Sequence, residues 1–129
     1  MTTELSLLFW SLVVYGLYLG AQSIIFRMDF GVEYAATARD EKKPLSARLG
    51  RAERALKNFL ETYPAFIVLA LVANFAAPGD SLVFWGAIVW FVARIAYLPL
   101  YLMGTFMIRS LVWTISAAGL FLMFFGVLF

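Results

Sequence analysis

"RAERALKNFLETYPAF", Arg51 to Phe66, starts as a polar helix and runs directly into "IVLALVANFAA", Ile67 to Ala77, a stretch as apolar as a membrane span. In helical phase Arg54, Asn58 and Glu61 recur at i, i+4 and i+7, so they share one face. Ionisable groups carried into an apolar span are costly, and they face protein or water instead of lipid. The stretch therefore predicts a membrane helix with a polar site near one end.

Composition agrees. Of 129 residues, 64% are hydrophobic and 14% are charged, whereas soluble domains are about half apolar and about a quarter charged. So short a chain has too little interior to hide that much apolar surface, and lipid must cover part of it. There is no cysteine and no histidine. This removes disulfides, a protein thiol nucleophile, and the commonest general base and metal ligand. No metal site and no nucleic-acid partner are expected. Any chemistry must use Arg, Tyr, Ser or carboxylates, or a reactive group brought by a second molecule.

Four apolar stretches, 5–26, 56–77, 82–103 and 107–128, each approach the ~20 residues a spanning helix needs. The first follows "MTTE", which has no basic leader, and reads as a retained span instead of a signal peptide. Eight of the ten Lys and Arg residues lie between positions 27 and 57. The positive-inside rule then puts the 27–50 loop in the cytoplasm and both termini on the opposite side. Spans three and four also meet at the cytoplasmic end, which brings Arg94 and Arg109 to the level of Arg54 and Glu61. The 27–50 loop is too long to be structureless, so "VEYAATAR" is read as a short helix or lid. Ser46 is placed as the cap of the second long helix. Arg39, Lys42 and Lys43 read as topology signals or lipid contacts.

Within the spans, Arg94, Tyr97 and Tyr101 share a face at i, i+3 and i+7, and Arg109 and Ser110 open the last span. Arg94 is the expected ion-pair partner of Glu61. Two readings of that pair stand open: part of a pocket, or a structural tie between helices. The tyrosines likewise read as pocket lining or as an interfacial belt. Phe and Trp in spans three and four read as lipid-facing bulk. A pocket of guanidiniums, phenols, an amide and a carboxylate suits an anionic ligand that also carries an amine.

These residues resemble a known signature. "RAERALKNFLETYP" is similar to that of the MAPEG superfamily, membrane-associated proteins in eicosanoid and glutathione metabolism, through Arg51, Arg54, Ala55, Asn58, Glu61 and Pro64. "ARIAYLPLYLMGTFMIRSLVW" resembles the family's third-to-fourth helix region through Arg94, Tyr97, Tyr101, Arg109 and Ser110. "QSIIFR" adds Arg27, and "ARDEKKP" is similar to the bacterial branch. Leu56, Thr62 and Trp113 depart from the pattern of some members. The resemblance implies an all-α integral membrane protein, a four-helix bundle forming a homotrimer in a bacterial inner membrane. It implies glutathione bound between subunits at the cytoplasmic end by Arg27, Arg51, Arg54, Asn58, Glu61, Arg94, Tyr97, Tyr101 and Ser110. Arg109 would hold the glutathione thiolate, and lipophilic electrophiles would arrive through the bilayer along the first and fourth spans. The implied activity is transferase or peroxidase; the alternative is a non-catalytic lipid-binding or scaffold protein of the same fold. A four-helix drug antiporter fits less well, because the first span lacks a membrane-embedded carboxylate.

Overall fold

A computed structural model describes residues 1–40, 43–104 and 107–129. Five helices follow one another: α1 (Thr3–Phe30), α2 (Val32–Ala36), α3 (Ala47–Ala76), α4 (Ser81–Leu102) and α5 (Ile108–Leu128). Among the described residues no strand occurs, and α1, α3, α4 and α5 are long and apolar enough to cross a membrane. The short helix expected in the basic loop is α2. Lys42 of that loop lies outside the described residues.

Local chemistry sets the helix starts. Thr2 accepts a hydrogen bond from the Leu5 amide, Ser46 from Leu49 and Asp80 from Val83, each satisfying an amide that the first turn leaves unpaired. With Ser46 as its cap, α3 begins well before its apolar run, and its first turns stand clear of the predicted span. Ser46 also donates to Asp29, while Arg48 pairs with the same carboxylate at 2.5 Å. One acidic side chain thus ties the end of α1 to the start of α3. α3 and α4 continue through Pro64 and Pro99.

The core is aromatic. Trp90 lies fully buried with its ring 4.0 Å from that of Phe66 and nearly parallel to it, at 7°. Phe59, Tyr63 and Tyr18 extend the cluster toward α1. The expectation that span-three aromatics are lipid-facing bulk fails for Trp90, because it lies on the stripe with Val83, Ala87 and Arg94 that α4 turns inward. It holds for Trp85, Phe121, Phe124 and Phe125, which are exposed. Two buried polar ties position α1. Tyr18 donates to the Arg94 carbonyl at 2.7 Å. The Ser11 and Tyr63 hydroxyls meet at 2.7 Å, and because Ser11 donates to the Leu8 carbonyl, Tyr63 is the donor between them.

α4 and α5 form the tightest pair. A Cβ built on Gly86 would lie 2.5 Å from the Gly119 carbonyl oxygen, and one on Gly119 would lie 2.7 Å from that of Gly86. Paired glycines let two backbones touch, and packing of this kind holds helices together where the surrounding lipid is as apolar as their side chains. This contact fixes how Arg109 on α5 stands against Tyr97 and Tyr101 on α4.

Candidate anion-binding site

Arg94 is the organising residue. It is fully buried on α4, and its guanidinium donates to Asn58 Oδ1 and Thr62 Oγ1 of α3, each at 2.8 Å. The Tyr97 ring lies 5.1 Å from the guanidinium carbon and the Phe59 ring 6.0 Å away, so aromatic faces complete its surroundings. Its Nε has no acceptor among the described residues.

The predicted Glu61–Arg94 ion pair does not form. Helical phase explains why. At about 100° per residue, Asn58 and Thr62 lie only about 40° apart and together face α4, while Glu61 is turned about 60° beyond Asn58, away from it. Glu61 is exposed and lines a different hollow of about 470 Å³, against Gln22, Glu53 and Lys57 on the α1–α3 flank. Arg94 is therefore held by neutral oxygens, with no carboxylate partner among the described residues. Among the described residues the one ion pair is Asp29–Arg48.

Asn58, which holds Arg94, also lines a polar cavity of about 260 Å³ with Tyr97, Tyr101, Arg109, Ser110 and Trp113. Five of the candidate residues meet there, from three different helices. The Arg109 guanidinium lies over the Tyr101 ring, 4.8 Å from its centroid, and Arg54 Nε donates to the Tyr101 hydroxyl at 3.3 Å. Tyr101 thus spaces two cations at the rim. Arg109 lines the site, Arg54 reaches it through Tyr101 and Arg94 through Asn58, and among the described residues no carboxylate pairs with any of the three. Such a site draws anions, and arginine offers them a planar fork of donors.

The remaining candidates sit elsewhere. Arg51 Nε donates to the Leu102 carbonyl at 2.9 Å, a cation at the C-terminus of α4 where the helix dipole favours it. Arg27 is exposed and bonds to the Ser23 carbonyl of its own helix at 3.2 Å, outside the cavity. Two residues outside the predicted set belong to the site: Thr62, which holds Arg94, and Trp113, which lines the cavity. Their signal was spacing, since each follows a candidate by four residues, Asn58 and Arg109 respectively. Thr62 and Trp113 also begin an apolar groove of about 360 Å³ between α3 and α5, continuing past Leu69, Leu120 and Phe124.

A family model for the MAPEG family matches residues 5–129, nearly the entire chain. The chain belongs to the MAPEG family. Comparison with curated proteins and with solved structures found no match. Family membership accounts for four membrane-capable helices with a polar cluster at one end, and it makes the protein an integral membrane protein in contact with lipid.

The tie between Thr62 and Arg94 yields a direct expectation for this MAPEG protein. Thr62→Val is nearly isosteric but removes an acceptor from a buried cation, at a cost of about 1.5–3 kcal/mol. Its thermal midpoint in detergent falls clearly below that of Thr62→Ser, which retains the hydroxyl. Equal midpoints would mean that the hydroxyl does not hold the guanidinium.

Proposed function

We propose that the protein is a glutathione-dependent membrane transferase or peroxidase acting on lipophilic electrophiles or hydroperoxides. The observation that carries this reading is the cavity of Asn58, Tyr97, Tyr101, Arg109 and Ser110, with Arg109 on its wall and Arg54 bonded to Tyr101, neither paired with a carboxylate among the described residues. The tripeptide is anionic, with two carboxylates for arginine forks, and it brings the thiol that a chain without cysteine lacks. Arg109 and Ser110 on α5 offer donors for a thiolate, and a guanidinium beside a thiol lowers its pKa and raises the reactive fraction at neutral pH. Asn58, Tyr97 and Tyr101 offer hydrogen bonds that orient the rest of the ligand. The α3–α5 groove shares Trp113 with the polar cavity and gives an apolar reactant a way in from the bilayer.

Glu61, Arg27 and the flank with Gln22 face outward. This supports a site completed by a second copy in a homotrimer, where Glu61 accepts the ligand's ammonium. The basic 27–50 loop favours the cytoplasmic side of a bacterial inner membrane for this end.

Isothermal calorimetry of the purified protein with millimolar glutathione, paired with conjugation of chlorodinitrobenzene, tests the reading. Saturable heat together with thiol-dependent turnover is expected. No heat at millimolar thiol overturns it and leaves a lipid-binding or scaffold protein of the same fold.

A further inference from the structure

The opposite end of the bundle holds a second polar feature that the thiol chemistry does not use. There the start of α1, the α3–α4 turn and the start of α4 border a cavity of about 410 Å³, lined by Thr2, Thr3, Glu4, Gly79, Asp80 and Ser81, with Met1 and Phe84 also on its wall. Glu4 is only 3% exposed, and its Oε1 is enclosed with no hydrogen-bond partner among the described residues. A sealed carboxylate oxygen without a donor is a costly arrangement that native structures retain only for a reason.

The neighbours do not supply one. Asp80 lines the same cavity, and its Oδ1 caps α4 by accepting from Val83 at 3.1 Å. It stands tight against α5, since a Cβ on Gly126 would lie 2.6 Å from that oxygen. The Thr2 hydroxyl donates to Asn74 at 3.0 Å and is spent. The positive end of the α1 dipole favours Glu4, but that effect is small and does not replace a missing bond. No lysine or arginine occurs in residues 1–26, 58–93 or 110–129, so the cation nearest these carboxylates in sequence is the α-ammonium of Met1, which lines the cavity and forms no ion pair among the described residues. Glu4 forms no ion pair among the described residues.

We propose that this cavity binds a hard divalent cation, with Glu4 and Asp80 as its charged ligands. Apart from Met1, the side-chain donors on the cavity wall are carboxylate and hydroxyl oxygens, a set that suits calcium or magnesium better than transition metals. The roomy, open cavity and its mixed carboxylate and hydroxyl lining favour calcium, which accepts irregular coordination and completes it with water. A bound cation would join α1 to the α3–α4 turn at the membrane face opposite the anion site.

The experiment uses the full-length protein in detergent, stripped with a chelator, and follows its thermal midpoint as calcium chloride is added. Magnesium chloride and sodium chloride at equal ionic strength serve as controls. The wild type is expected to rise saturably with calcium, more than with magnesium, and not with sodium. Glu4→Gln is expected to lose the response and, in chelator, to melt no lower than the wild type, because it removes a buried charge. Asp80→Asn, which still caps α4, is expected to weaken the calcium response while keeping the fold. A wild type indifferent to calcium overturns the proposal, as does a Glu4→Gln variant that responds like the wild type; the carboxyl would then be carried neutral, or balanced from within the chain.

Discussion

Arg109→Ala slows thiol conjugation at pH 7 by about 10²–10³-fold, the cost of removing a preorganised donor from a developing or resident anion, and weakens glutathione binding much less. Arg109 stands at the start of α5 over the Tyr101 ring, half-buried at the polar cavity. Its removal leaves Arg54 at the rim to attract the ligand's carboxylates, so affinity persists while thiolate stabilisation is lost. The pH profile separates this from simple damage. An unassisted thiol ionises near ~8.5, so raising the pH through that value restores thiolate to the variant and narrows its deficit. A deficit that stays constant from pH 6.5 to 9.5, or a variant as fast as the wild type, removes Arg109 from the thiolate. Arg109→Lys keeps the charge but loses the planar fork, and falls between the two.

Gly119→Val abolishes the native α4–α5 pairing. The added side chain meets the Gly86 carbonyl oxygen at 2.7 Å and the Trp90 amide nitrogen at 2.8 Å, counting its Cβ alone. Overpacking against flexible side chains costs about 1–3 kcal/mol; here the obstacles are backbone atoms of a neighbouring helix, which cannot turn aside. The helices must separate along their length, and Trp90 and Met123 lose the contacts that bury them. Size-exclusion chromatography in mild detergent shows loss of the native peak, and Gly86→Val behaves alike. Gly16→Val, at a position with open space around its Cβ, leaves the profile unchanged. A native, cooperatively melting Gly119→Val protein would refute the close backbone contact.

Both variants bear on what could be read from the linear chain. Membrane class, four spans and the polar stripe on α3 were legible because each depends on local order: run length, helical period and the clustering of basic residues. Ser46 as a cap and α2 in the basic loop were legible for the same reason. The cavity residues Asn58, Tyr97, Tyr101, Arg109 and Ser110 could be nominated, since polar groups in apolar spans are few and costly. Their functional roles rest on the proposal and its tests.

The partnership of Arg94 was not legible. Charge alone pointed to Glu61, the natural counter-ion on the facing helix, whereas the observed partners are Asn58 and Thr62. A helix period gives the relative angles of side chains on one helix but not the rotation of that helix against its neighbour. That rotation is set by interdigitation, here by Trp90 on Phe66 and by the glycine contact between α4 and α5. The sealed Glu4 was hidden for a similar reason, because its enclosure depends on a turn more than seventy residues away. Residue order settled which groups enter the membrane; packing of helix against helix decided which of them meet, because burial and partner choice depend on distances between segments remote in the chain.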